Sequence, residues 1–158
     1  MHTDYDDDYA TCKLTFCSLN VYSTILSFDE IDSALELEFD KGFSKGEAQR
    51  MGPHKKIWPH SYARITTQDK VDSKDMRRHL DFLLSTIQDA PFATLIDQEK
   101  LTANISCYWE SKYGQGGPTL SPHQFQQLAQ LPLELWFDIY DGADDIDEDE
   151  DEAQECET

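Results

Sequence analysis

Apolar residues recur along this chain with either the strand period or the helix period, and the switches between the two mark its elements. In TCKLTFCSLNV, Cys12, Leu14 and Phe16 alternate with Lys13, Thr15 and Cys17, as on a half-buried strand, so Cys12 and Cys17 are expected on opposite faces. LSFDEIDSALEL starts a helix: Ser27 and Glu30 form a capping box, Leu26 and Ile31 a hydrophobic staple, and Ile31, Ala34 and Leu35 share one face. EFDKGFSKGEAQRMGPHKK, rich in charge and glycine, reads as one long loop, a length at which loops are often functional. IWPHSYARITT is extended, with Pro59 placing it at an edge or delaying its start.

DSKDMRRHLDFLLSTIQDA is the clearest helix. Asp72 or Ser73 is its expected cap, and Met76, Leu80, Leu83, Leu84 and Ile87 form its apolar stripe. Pro91 opens a helical turn or two in PFATLIDQE. LTANISCYW then sets Leu101, Ala103, Ile105, Cys107 and Trp109 against Thr102, Asn104, Ser106 and Tyr108. A glycine-rich loop leads to Ser121, Pro122 and Gln124, a second capping box with Leu120 and Phe125 as staple and Phe125, Leu128 and Ala129 toward the core. Last, LPLELWFDIYD puts Leu133, Leu135, Phe137 and Ile139 on one face and Glu134, Trp136, Asp138 and Tyr140 on the other.

Strand alternation with only one apolar face argues against a doubly wound sheet, which is buried on both sides. The pattern predicts an α+β fold: about four strands in a mostly antiparallel or mixed sheet, helices packed on one face, the other face partly open. One domain is expected over 9–141, after an acidic lead-in at 1–8 and before a disordered acidic tail at 142–158.

Charge sharpens this division. The net charge is −19 over 158 residues, but residues 141–158 hold eleven Asp or Glu and no Lys or Arg, and residues 1–8 hold four Asp. Between them, 17 acids face 13 bases. Direct nucleic-acid binding and an anionic membrane surface both require the opposite sign, so a cationic protein is the expected partner. Four cysteines without a C-x-x-C pair, no signal pattern and no membrane-length apolar run fit a cytoplasmic protein with reduced thiols.

Candidate chemistry is sparse. Gly114, Gly116 and Gly117 in CYWESKYGQGGPTLSPHQF lack the spacing and the lysine of a phosphate loop, and Pro118 removes an N–H donor; a tight turn is the better reading. The five histidines show no metal-ligand spacing. Glu134 and Asp138 lie about 13 Å apart on one strand, too far to share a proton. No catalytic residue, cofactor or metal is assigned, and an enzyme is not expected. The open sheet face is the strongest site: Tyr108, Glu134, Trp136, Asp138 and Tyr140, joined by Tyr62, Arg64 and parts of the 40–56 loop, combine aromatics and acids as protein-binding patches do.

The stretch ISCYWESKYGQGGPTLSPHQFQQLAQLPLELWFDIYD resembles the bacterial domain-of-unknown-function family 4279. Cys107, Tyr108, Trp109, Gly116, Gly117, Pro118, Leu120, Ser121, Leu128, Ala129, Leu131, Asp138, Ile139 and Tyr140 carry the match, and FDEIDSALEL and RRHLDFLL, with His79 and Leu83, agree with it. The resemblance implies no catalytic residues. The family looks like one whose small, single-domain members occur beside polymorphic or contact-dependent toxins, and the resemblance thereby implies a toxin-neutralising immunity protein. An acidic DNA mimic and a small-molecule sensor or enzyme are the alternatives.

Overall fold

The computed structural model describes residues 4–49 and 56–142. The tip of the long loop and the acidic tail beyond Gly142 lie outside these residues. The elements are β1 (Cys12–Ser23), α1 (Phe28–Leu35), β2 (Lys41–Phe43), β3 (Ser61–Thr66), α2 (Met76–Ile87), α3 (Phe92–Asp97), β4 (Thr102–Ser111), α4 (Pro122–Leu128) and β5 (Glu134–Asp141). They form one five-stranded mixed sheet, ordered β2-β3-β1-β4-β5, in which β4 and β5 alone run parallel. The α+β class is as expected. The extra strand is β2, which lies inside the stretch read as loop. It escapes a pattern search because it is three residues long and centred on Gly42. That glycine is needed: a Cβ there would come within 2.0 Å of the Phe28 ring.

β1 is the central strand. Its register with β4 shifts between Cys12 and Leu14. One extra residue there inverts the phase of everything after it. Cys12, Thr15, Cys17, Leu19 and Val21 are all buried, whereas Leu14 is exposed and Phe16 is only half-buried. The expectation that Cys12 and Cys17 oppose each other, with Phe16 inside, is therefore corrected. Cys17 pairs across the ladder with Cys107, their Sγ atoms 3.3 Å apart. Burial pushes the Cys12 thiol up to about 11 and the Cys17 thiol well up, so neither supplies a thiolate at neutral pH.

The core lies between the sheet and its helices. Ile31 and Leu35 of α1, the stripe of α2, and Phe92 and Leu95 of α3 join Leu19, Ala63, Ile65, Ile105, Cys107 and Trp109 in one cluster. Both capping boxes form as expected, but Phe125 and Ala129, expected toward the core, are exposed, and the buried residue of α4 is Gln124. The cap of α2 is Asp75 rather than Asp72 or Ser73; its carboxylate accepts from the Arg77 backbone N–H, and Ser73 Oγ accepts from Asp75 N–H.

The start of the chain is held against α2. Asp6 N–H donates to Asp75, Asp7 forms a bidentate pair with Arg78, and Tyr5 OH donates to Asp81. Tyr9 meets Trp109 edge-on, ring centroids 5.4 Å apart. These acids look solvated in the sequence because their partners lie some seventy residues away.

His79 is 2% exposed. Its Nε2–H donates to the Ser73 carbonyl, which fixes the tautomer and leaves Nδ1 to accept from Thr67 Oγ1. Burial lowers its pKa from 6.5 and keeps it neutral. The unfolded chain then binds the extra proton, so this stability is complete above pH 6.5 and is lost as pH falls below it. Thermal melts between pH 7.5 and 5.5 should fall more steeply in wild type than in His79→Gln; the carboxylates with lowered pKa values, among them Asp75 and Asp40, act at lower pH.

Candidate functional site

Because the helices cover the odd-numbered positions of β4, its even-numbered positions form the other face. The parallel register places Glu134 beside Asn104, Trp136 beside Ser106, Asp138 beside Tyr108 and Tyr140 beside Glu110. All five sequence-predicted residues therefore share the uncovered face. Trp136 and Tyr140 are each 53% exposed.

The structure adds a residue that the strand-phase reading missed. Phe16 stacks on Tyr108 with centroids 4.8 Å apart, and Tyr108 stacks on Tyr140 at 5.0 Å. These rings make one ladder across β1, β4 and β5. Cross-strand aromatic pairs of this kind stiffen a surface and leave ring faces for a partner. The signal was in the sequence: Cys17, Leu19 and Val21 against Ser18 and Asn20 give the true phase of β1 when read backward from its end.

A second aromatic group lies at the opposite side of the sheet. Tyr22 packs on Tyr62, Tyr62 on Phe43, and Phe43 stacks on Trp58 at 3.8 Å. Phe43 and Trp58 bring part of the 40–56 loop and its flank to the face. Between the two groups the side chains are polar and mutually bonded. Asn20 Nδ2 donates to Asn104 Oδ1 and Ser106 Oγ, Tyr62 OH donates to Asn20 Oδ1, and Arg64 donates to Ser18 Oγ.

Charge divides the face. Arg64 and Lys41 are register partners on β3 and β2. Glu110, Glu134 and Asp138 lie on β4 and β5. Glu134 accepts from Trp136 Nε1 at 3.2 Å, and Glu110 accepts from Tyr108 OH at 3.0 Å while pairing with Lys13. Burial and the Glu110 carboxylate push the Tyr108 phenol up, so it remains a donor at neutral pH. Ring faces, hydroxyl donors and carboxylates suit recognition of a protein surface.

The glycine-rich loop takes another role. Gly114 and Gly116 have φ of 71° and 87°. A Cβ on Gly116 would lie 2.4 Å from Thr11 Oγ1. Lys112 N–H donates to the Thr11 carbonyl, and Tyr9 OH to the Gly117 carbonyl. The loop is a turn clamped onto the start of β1. It delivers Ser121 to its cap and buried Gln124 to the Asp81 carboxylate.

The family described as Domain of unknown function (DUF4279) matches residues 11–142. No curated protein and no solved structure matches the chain. The matched span begins at β1 and closes at Gly142, whose N–H donates to the Ser111 carbonyl.

Proposed function

The chain belongs to the DUF4279 family, and from that premise we propose that it is a non-catalytic binding protein, an immunity protein that occludes a basic bacterial toxin. The observation that carries this reading is the Phe16–Tyr108–Tyr140 ladder beside exposed Trp136, bordered by Glu110, Glu134 and Asp138. Aromatics supply binding energy at a desolvated centre, and acids set partner sign and association rate. Among the described residues no helix is long and apolar enough to cross a membrane. Affinity capture from the native host with a tagged chain tests the reading. It should recover a stoichiometric, basic, growth-inhibiting polypeptide; recovery of nothing stoichiometric counts against it.

A second reading, an acidic mimic of DNA, is favoured by the acids after β5. Removing residues 143–158 separates the two. For an occluding immunity protein, the truncation should slow association about tenfold at low salt and far less at physiological salt, with dissociation unchanged. A DNA mimic would lose its activity outright. Stopped-flow mixing with the captured partner at two ionic strengths reads the difference.

A further inference from the structure

β5 ends the sheet, and it is an unusual edge. Its eight residues pair with β4 in unbroken register and contain no proline and no bulge. The strand thus presents about 26 Å of backbone along its outer side. The opposite edge, β2, is only three residues long. Natural sheets blunt such edges with short strands, prolines, bulges, a covering element or charge. Among the described residues β5 uses charge alone.

Its side chains are exposed in both directions. Trp136 and Tyr140 stand on the open face. Phe137 and Ile139, expected to be buried, are 43% and 58% exposed on the helix side. The apolar residues packed against the core include Leu128, Leu131, Leu133 and Leu135 but neither Phe137 nor Ile139.

The charges select the occupant. A second copy laid antiparallel along β5 and centred on Trp136 would bring Glu134 of each chain against Asp138 of the other, with ten further acids following each strand in residues 143–158. Opposed like charges are destabilising in cross-strand pairs. The chain's own tail meets the same repulsion. A strand carrying lysine or arginine turns each of these repulsions into attraction.

We propose that the outer edge of β5 accepts an extended basic segment of the partner protein as a sixth strand. This deepens the binding-protein reading and rests on it. The incoming strand donates and accepts main-chain hydrogen bonds along β5, as in other cases of strand addition. Its side chains alternate, cationic ones meeting Glu134 and Asp138 on the open face and apolar ones meeting Phe137 and Ile139 behind.

The test titrates the ¹⁵N-labelled full chain with a peptide alternating lysine and valine, about nine residues long, and with its fully N-methylated counterpart. The unmodified peptide should slow hydrogen exchange of alternate β5 amides by about tenfold or more. The N-methylated peptide keeps charge and side chains but has no N–H, and it should bind about tenfold more weakly. Phe137→Ser with Ile139→Ser, two exposed changes off the open face, should weaken the unmodified peptide by a similar factor. Equal binding of both peptides, or no binding of either, overturns strand addition. Perturbation confined to Phe16, Tyr108 and Trp136 with no newly protected amide also overturns it, yet leaves open-face recognition standing. Capture of the basic polypeptide decides that broader reading independently.

Discussion

Trp109→Ala should be the most damaging single change to the fold, costing about 3–5 kcal/mol. The ring is 1% exposed, the largest of the fully buried side chains. It sits on β4 in the core cluster and packs perpendicular to the Tyr9 ring, so its loss opens a cavity and also unseats Tyr9 from the sheet. Trp109→Phe separates these effects. Among the described residues the indole Nε1 is buried without a hydrogen-bond partner. Phenylalanine removes that unsatisfied donor, which offsets part of the lost volume by about 1–3 kcal/mol. Urea unfolding should rank wild type and Trp109→Phe close together and Trp109→Ala far below. A cost for Trp109→Phe equal to that of alanine would contradict the description of this core.

Trp136→Ala combined with Tyr140→Ala should have the opposite profile. Both side chains are half-exposed, so the melting temperature should change little. Binding of the captured basic partner should fall by about a thousandfold, since two aromatic anchors at about 2 kcal/mol each are removed together. Calorimetric titration measures the affinity, and circular dichroism checks the fold. An unchanged affinity would exclude the open face as the recognition surface.

Much of this architecture is legible in the sequence because it rests on local rules. The stripe of α2, the Ser27 and Ser121 capping boxes, and the alternation of β4 and β5 each follow from neighbours a few residues away. The parts that escaped depend on distant partners. The alternation from Cys17 to Val21 carries the later phase of β1, but the bulge near Lys13 that reconciles it with Cys12 is located only when β1 is laid against β4, and it moved Phe16 from the core into the aromatic ladder. β2 required knowing that the Phe28 ring rests on Gly42. Asp6 and Asp7 gain their meaning from Asp75 and Arg78. The same holds for the exposure of Phe137 and Ile139: alternation puts them on the helix side, but the packed apolar layer stops at Leu135.

The glycine-rich loop illustrates the limit in another way. Its spacing and Pro118 argue against a phosphate cradle, and the structure gives the loop a positive task, closing over Thr11 and Tyr9. The residues that identify the family are thus largely residues that shape turns, caps and core. Tyr108, Asp138 and Tyr140 belong both to that match and to the open face, where Trp136 and Glu134 join them.

The most direct measurement of the central claim is growth of cells that express the captured basic polypeptide together with this chain. Wild type should restore growth, and the variant carrying Trp136→Ala and Tyr140→Ala should not, although it accumulates to the same level. Equal rescue by both chains, or rescue by neither, would contradict recognition of a basic toxin through the open face of the sheet.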